Sequence, residues 1–84
     1  MTFSLLVLNG PNLNLLGTRD PEAYGTASLD AIETELDASF SSVEFDFRQH
    51  NGEGALIDSL HDAHEQNRDG IVLNPGGYTH TSVA

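Results

Sequence analysis

Residues 3–8 read FSLLVL, a short and nearly continuous apolar run. Its length and its β-branched and aromatic content suit a strand buried on both faces, as strands inside a parallel sheet are. The segment that follows, 9–27, is rich in Gly, Pro, Asn and Thr and predicts a loop. A helix comes next, capped by Ser28 or Thr26, with Asp30 in its first turn. Leu29, Ile32, Leu36 and Phe40 recur at helical spacing and form one apolar stripe. Residues 43–47, VEFDF, alternate apolar and acidic, as a strand with one wetter face does, and 49–54 form a turn. Leu56, Ile57, Leu60 and Ala63 make a second stripe, with Asp58, Asp62 and Glu65 facing out and Asp69-Gly70 as the helix stop. Residues 71–73 are a third short buried strand, followed at once by Asn74-Pro75-Gly76-Gly77.

This β-α-β-α-β order predicts an α/β domain with a parallel sheet and right-handed crossovers. In such sheets ligands bind beyond the carboxyl ends of the strands, where the strand order reverses. The segments leaving those ends are 9–27, 48–54 and 74–80, which are also polar, Gly-rich and His-containing. Connections from strand to helix usually run about 2–6 residues. The 9–27 segment is far longer, and a mobile lid over a site accounts for it. After Thr81-Ser82, plausible helix caps, the chain stops at Val83-Ala84. The 84 residues are therefore expected to be the first part of a larger single domain.

Composition narrows the chemistry. Thirteen Asp and Glu face three Arg with no Lys, a net charge of −10 with His neutral. That disfavours nucleic acid and anionic membrane surfaces as partners. Without Lys there is no lysine Schiff base, and without Cys there is no disulfide, thiolate metal site or cysteine nucleophile. No apolar run approaches the roughly 18 residues of a membrane span, and the N-terminus lacks a signal pattern. The chain reads as soluble and cytoplasmic.

Several residues could carry chemistry. Arg19 and Tyr24 share the long loop. A guanidinium beside a tyrosine favours the phenolate and makes a better base, whereas the bland alternative is a packed loop Tyr and a solvated Arg. Asn9, Asn12 and Asn14 could orient a hydroxyl or a water, or simply cap their own turns. NPGGYTH at 74–80 sets a rigid turn before His80, where helix-entry N–H groups could take a carboxylate against the global field, or it is simply a Pro-Gly helix entry with exposed polar residues. His61 and His64 lie three apart on the second helix, but a third metal ligand is missing; solvated histidines explain them better. His50 sits in a better-placed loop without a role determined by sequence. No G-x-G-x-x-G and no Walker GK[ST] is present, which disfavours a nucleotide binder.

Three segments in combination resemble the type II 3-dehydroquinate dehydratases: LNGPNLNLLGTRDPEAYG at 8–25, RQHNGEGALID at 48–58 and NPGGYTHTSVA at 74–84. The resemblance runs along essentially the whole chain. It implies a flavodoxin-like, three-layer α/β/α fold, of which these residues are the first βαβαβ part. It also implies trimers assembled into a homododecamer, with no metal or organic cofactor. The implied reaction is dehydration of 3-dehydroquinate to 3-dehydroshikimate, a lyase step of the shikimate pathway or of quinate catabolism. By resemblance Tyr24 is the base that removes a proton beside the ketone, and Arg19 lowers its pKa. Asn12 helps hold the water that stabilises the enolate, while Asn74 and His80 bind the substrate. The family's second motif usually reads Gln-Ser-Asn-His-Glu-Gly, against Gln49-His50-Asn51-Gly52-Glu53-Gly54 here, and its usual Ala is Gly77. Its general-acid His has no counterpart up to residue 84, so the isolated chain is expected to be poorly active or inactive. The rival reading is a non-catalytic flavodoxin-like binding module.

Overall fold

In the computed structural model the apolar stretch becomes the middle strand of the sheet. Residues 2–18 and 27–84 are described. Strands β1 (Phe3–Asn9), β2 (Val43–Gln49) and β3 (Gly70–Asn74) are parallel, in the order β2-β1-β3. Helix α1 (Leu29–Ser39) joins the first pair and α2 (Glu53–Glu65) the second; short 3₁₀ turns cover Leu13–Leu15 and Gly76–Thr79. The α/β class and the parallel sheet expected from the chain are thus present.

Successive side chains of β1 point to opposite faces, so a strand with a helix over each face needs apolar residues at every position. Leu6 and Leu8 are fully buried against Leu56 and Ala63 of α2. Leu5 and Val7 face the other way, lining a shallow apolar groove with Leu36, Phe40, Val43, Phe45 and Val72. The two helices therefore cover opposite faces, and α2 packs the more tightly. Helix α1 buries no residue completely, although Ser28 caps it as expected, its hydroxyl accepting the Ala31 N–H at 3.1 Å.

Two expectations are corrected. Helix α2 ends at Glu65, well before Asp69-Gly70, because Asn67 takes the left-handed conformation at φ 54°. Gly70 instead starts β3, with Asp69 just ahead of it. The Asp69 carboxylate accepts the Ser4 N–H at 2.7 Å, and its own N–H donates to the Ser4 carbonyl. The third strand is not buried: Ile71, Val72 and Leu73 stay 44–55% exposed, since β3 pairs on one side only among the described residues. The Ser82 hydroxyl donates to the Glu53 carboxylate and accepts the Ala84 N–H. No described helix is long and apolar enough to cross a membrane.

The acidic strand β2 explains where two of the three cations go. Asp46 lies between Arg48, at 3.0 Å, and Arg68, at 3.3 Å. Arg48 also reaches Asp62 on α2 at 2.8 Å, and Arg68 donates to the Ser4 hydroxyl at 2.7 Å. The hydrogen bond that Arg48 donates to Asp46, then that to Asp62, raises its pKa above its ordinary value. Asp62, expected to face solvent, is thus half committed to a clamp between β2 and α2. Replacing Asp46 with Asn leaves two partly buried guanidiniums without their shared charge. A loss of about 1–3 kcal/mol is expected, read as a lower urea midpoint at unchanged m-value.

Glu33 on α1 behaves oppositely. Desolvation first, then Asp30 and Asp37, raise its pKa above its ordinary value. An acid raised in the folded state destabilises where it is charged, above its folded pKa, and costs nothing below its unfolded value. Glu33→Gln is therefore expected to stabilise the protein near neutrality by about a few tenths of a kcal/mol, solvent screening keeping the gain small. Urea titrations repeated at falling pH should show that gain vanish below about pH 4.

Candidate active site

Register decides which side chains meet. Asn9 pairs across the sheet with Gln49 on β2 and with Asn74 on β3, so three amide residues end the three strands in one row. In the order β2-β1-β3 the chain moves first to one side of β1 and then to the other, which makes the β1–β3 carboxyl ends the switch point. Gly10 closes that junction: its N–H donates to the Asn74 carbonyl at 2.7 Å. A Cβ on Gly10 would lie 2.6 Å from the Pro75 carbonyl oxygen. Gly76, with φ 59°, packs the other side of the junction against Pro11.

The second segment is tied in through amides. Gln49 Nε2 donates to the Gly10 carbonyl at 3.0 Å and to Asn51 Oδ1 at 3.1 Å. The same Asn51 oxygen accepts the Asn12 N–H at 3.0 Å, and the Asn51 carbonyl accepts the Tyr78 hydroxyl at 2.8 Å. His50 is anchored by its N–H on the Asn9 carbonyl and by a 3.0 Å contact of Nε2 with the Ser59 hydroxyl. Ser59, 2% exposed on α2, in turn receives Arg48 Nη1 at 3.4 Å.

The residues singled out by sequence fall as follows. Asn12 heads the Leu13–Leu15 turn in a left-handed conformation, φ 68° and ψ −4°, and its side chain caps nothing there. Asn74 ends β3 and accepts the Gly76 N–H on its side-chain oxygen at 3.2 Å. These two sit on segments in direct contact through Gly10, Pro11 and Gly76. His80 follows the Gly76–Thr79 turn, exposed, with its N–H on the Gly77 carbonyl. Arg19 and Tyr24 lie outside the described residues. The helix entry expected at 74–80 is instead a four-residue 3₁₀ turn, too short to act as a helix N-terminus. His61 and His64 are exposed on α2. Among the described residues no group of three or more His, Asp or Glu is placed to hold a metal ion.

A separate apolar groove opens on the α2 face of the same end, lined by Leu56, Leu60, Leu73, Pro75 and Tyr78 among others, and includes none of Asn12, Asn74 or His80. Sequence reasoning passed over Gln49, Asn51 and Ser59. Alternation along β2 could have found Gln49, which shares the face of Phe45 and Phe47; Asn51 carries no such signal. Gly10→Ala should force the Asn74–Pro75 turn away from β1. A loss of about 1–3 kcal/mol is expected for the overpacking, with the Tyr78 and Asn12 amide resonances displaced in a nitrogen–proton correlation spectrum.

A family model described as "Dehydroquinase class II" matches residues 3–84. Among curated proteins, 3-dehydroquinate dehydratase 1 of Bradyrhizobium diazoefficiens is 55% identical over 99% of this chain and 55% of its own length. Catabolic 3-dehydroquinase 2 of Aspergillus flavus is 54% identical over 96% of this chain and 55% of its own. Among solved structures, the type II dehydroquinase of Butyrivibrio crossotus superposes with a TM-score of 0.91 at 41% identity, covering 96% of this chain and 57% of that one. The chain spans about half the length of the relatives it matches.

Proposed function

The chain belongs to the class II dehydroquinase family, and on that premise we propose that it carries the base-side half of a site that dehydrates 3-dehydroquinate to 3-dehydroshikimate. The observation that carries the reading is the junction at the β1–β3 switch point. There the Asn12 and Asn74 segments touch, in a family match running from residue 3 to residue 84. In this reading the 84 residues form the first portion of one flavodoxin-like domain.

The mechanism is anti elimination of water through an enolate. Tyr24, as a phenolate favoured by the Arg19 charge, removes the proton next to the ketone. Asn12 holds a water against the enolate oxygen, which is where negative charge develops. Asn74 and His80 bind the hydroxyl and carboxylate groups of the substrate. No metal or organic cofactor takes part. With Arg48 and Arg68 both paired to carboxylates, capture of an anionic substrate falls to Arg19, His80 and neutral donors. The proposal extends to a cytoplasmic protein whose trimers assemble into a homododecamer.

The proton donor for the departing hydroxyl has no counterpart in these residues. A missing acid costs about 10²–10⁴-fold in rate, so the 84-residue chain is expected to bind 3-dehydroquinate yet turn it over at least about a hundredfold more slowly than the family's enzymes. Calorimetry with 3-dehydroquinate measures the first, and ultraviolet absorbance of the conjugated enone product the second. His80→Ala is expected to weaken binding about tenfold or more, the worth of a charge-assisted hydrogen bond. A folded chain with no heat of binding, or binding indifferent to His80, would count against the reading. Binding with no turnover at all, even in a longer protein containing this chain, would favour the non-catalytic module.

A further inference from the structure

Asn51 stands where the three segments leaving the sheet cross. Its side-chain oxygen accepts from the Asn12 N–H at 3.0 Å and from Gln49 Nε2 at 3.1 Å. Both neighbours are donors, so the oxygen of the amide, not its NH₂, must face them. The Asn51 carbonyl meanwhile accepts the Tyr78 hydroxyl at 2.8 Å. One exposed residue thus links the loop after β1, the end of β2 and the turn after β3.

We propose that Asn51 is a positioning residue that holds Asn12 in its working conformation. Asn12 is left-handed, at φ 68°, a state that non-glycine residues adopt at a cost and keep only when their surroundings enforce it. The side chain of Asn12 makes no cap within its own turn. The bond from its N–H to Asn51 therefore fixes the peptide plane just before the left-handed residue, and that plane sets where the Asn12 amide points. Gln49 completes the frame. Its Nε2 grips the Gly10 carbonyl two residues upstream while touching the same Asn51 oxygen. Asn51 acts through Asn12 and touches no reacting atom. The inference rests on the role given to Asn12 above.

Two substitutions separate the acceptor from mere bulk. Asn51→Leu keeps the approximate size and removes the acceptor; Asn51→Asp keeps the acceptor. Hydrogen exchange at the Asn12 amide, followed by NMR, should quicken roughly 3- to 10-fold in Asn51→Leu, the factor that one ordinary hydrogen bond supplies. It should stay at the wild-type rate in Asn51→Asp. Calorimetry then uses two probes, 3-dehydroquinate and a cyclohexene carboxylate shaped like the planar enolate. Asn51→Leu should lose affinity for the planar probe by a larger factor than for 3-dehydroquinate, whereas in Asn51→Asp, whose added charge repels both carboxylates alike, the ratio of the two affinities should stay that of the wild type. An unchanged Asn12 exchange rate in Asn51→Leu overturns the proposal. So does quickened exchange in Asn51→Asp, and that arm decides alone if the Leu variant fails to fold. A wild-type protein that binds neither probe would sink the functional reading instead, while Asn12 exchange would still decide the positioning.

Discussion

The structure depends on β1 being hydrogen-bonded along both edges. The parallel crossovers that make this pairing place a helix over each face of the strand, which is why residues 3–8 are almost wholly apolar and why Leu6 and Leu8, under α2, are fully buried. Double pairing also sets the register of β2 and β3 against one common strand. Asn9, Gln49 and Asn74 then fall in a row with no further instruction. Polar groups at that end follow from the same rule, because the row marks where the buried sheet stops and its last carbonyls and amides need partners. Gly10 and the Asn51 amide supply those partners. The constraint that builds the core thereby also builds the floor of the candidate site.

The two faces of the sheet are held differently. On the α2 side, apolar packing by Leu56 and Ala63 is joined by the Asp46, Arg48, Asp62 and Arg68 cluster, which clamps the helix to β2 and the β3 entry to β1. On the α1 side the contacts are apolar and open, with Ile32 and Phe40 partly exposed. Helix α1 carries four acidic residues and no basic one, and among the described residues no Arg forms an ion pair with it. It is the less firmly held of the two helices by this accounting.

Much of the fold was readable because it rests on local pattern. The apolar run, the two helical stripes and the Ser28 cap need only neighbours within a few residues, and each appears where expected. The errors are non-local or rest on a residue with two uses. Asp69-Gly70 looks like a helix stop, yet Asn67 reaches the left-handed region first and releases Asp69 to bond Ser4, which lies 65 residues away. The apolar content of 71–73 signals burial, but burial depends on a neighbour that sequence pattern does not supply. The candidate site was legible in place, at the strand ends, and not in construction. Asn51 meets Asn12 across 39 residues, a contact created by strand register, and in the sequence it is one more loop asparagine.

The pairing of Arg48 and Arg68 with carboxylates also shapes how fast a ligand arrives. Both guanidiniums are neutralised within the fold, so at long range a ligand meets a chain of net charge −10 with little positive relief. Diffusional encounter with a carboxylate ligand is then slowed by the field instead of steered by it. Added salt, which shortens the reach of that field to about 8 Å at physiological ionic strength, raises the association rate instead of lowering it. The protein's kinetics with an acid ligand would thus run opposite to those of enzymes that line their mouths with lysine.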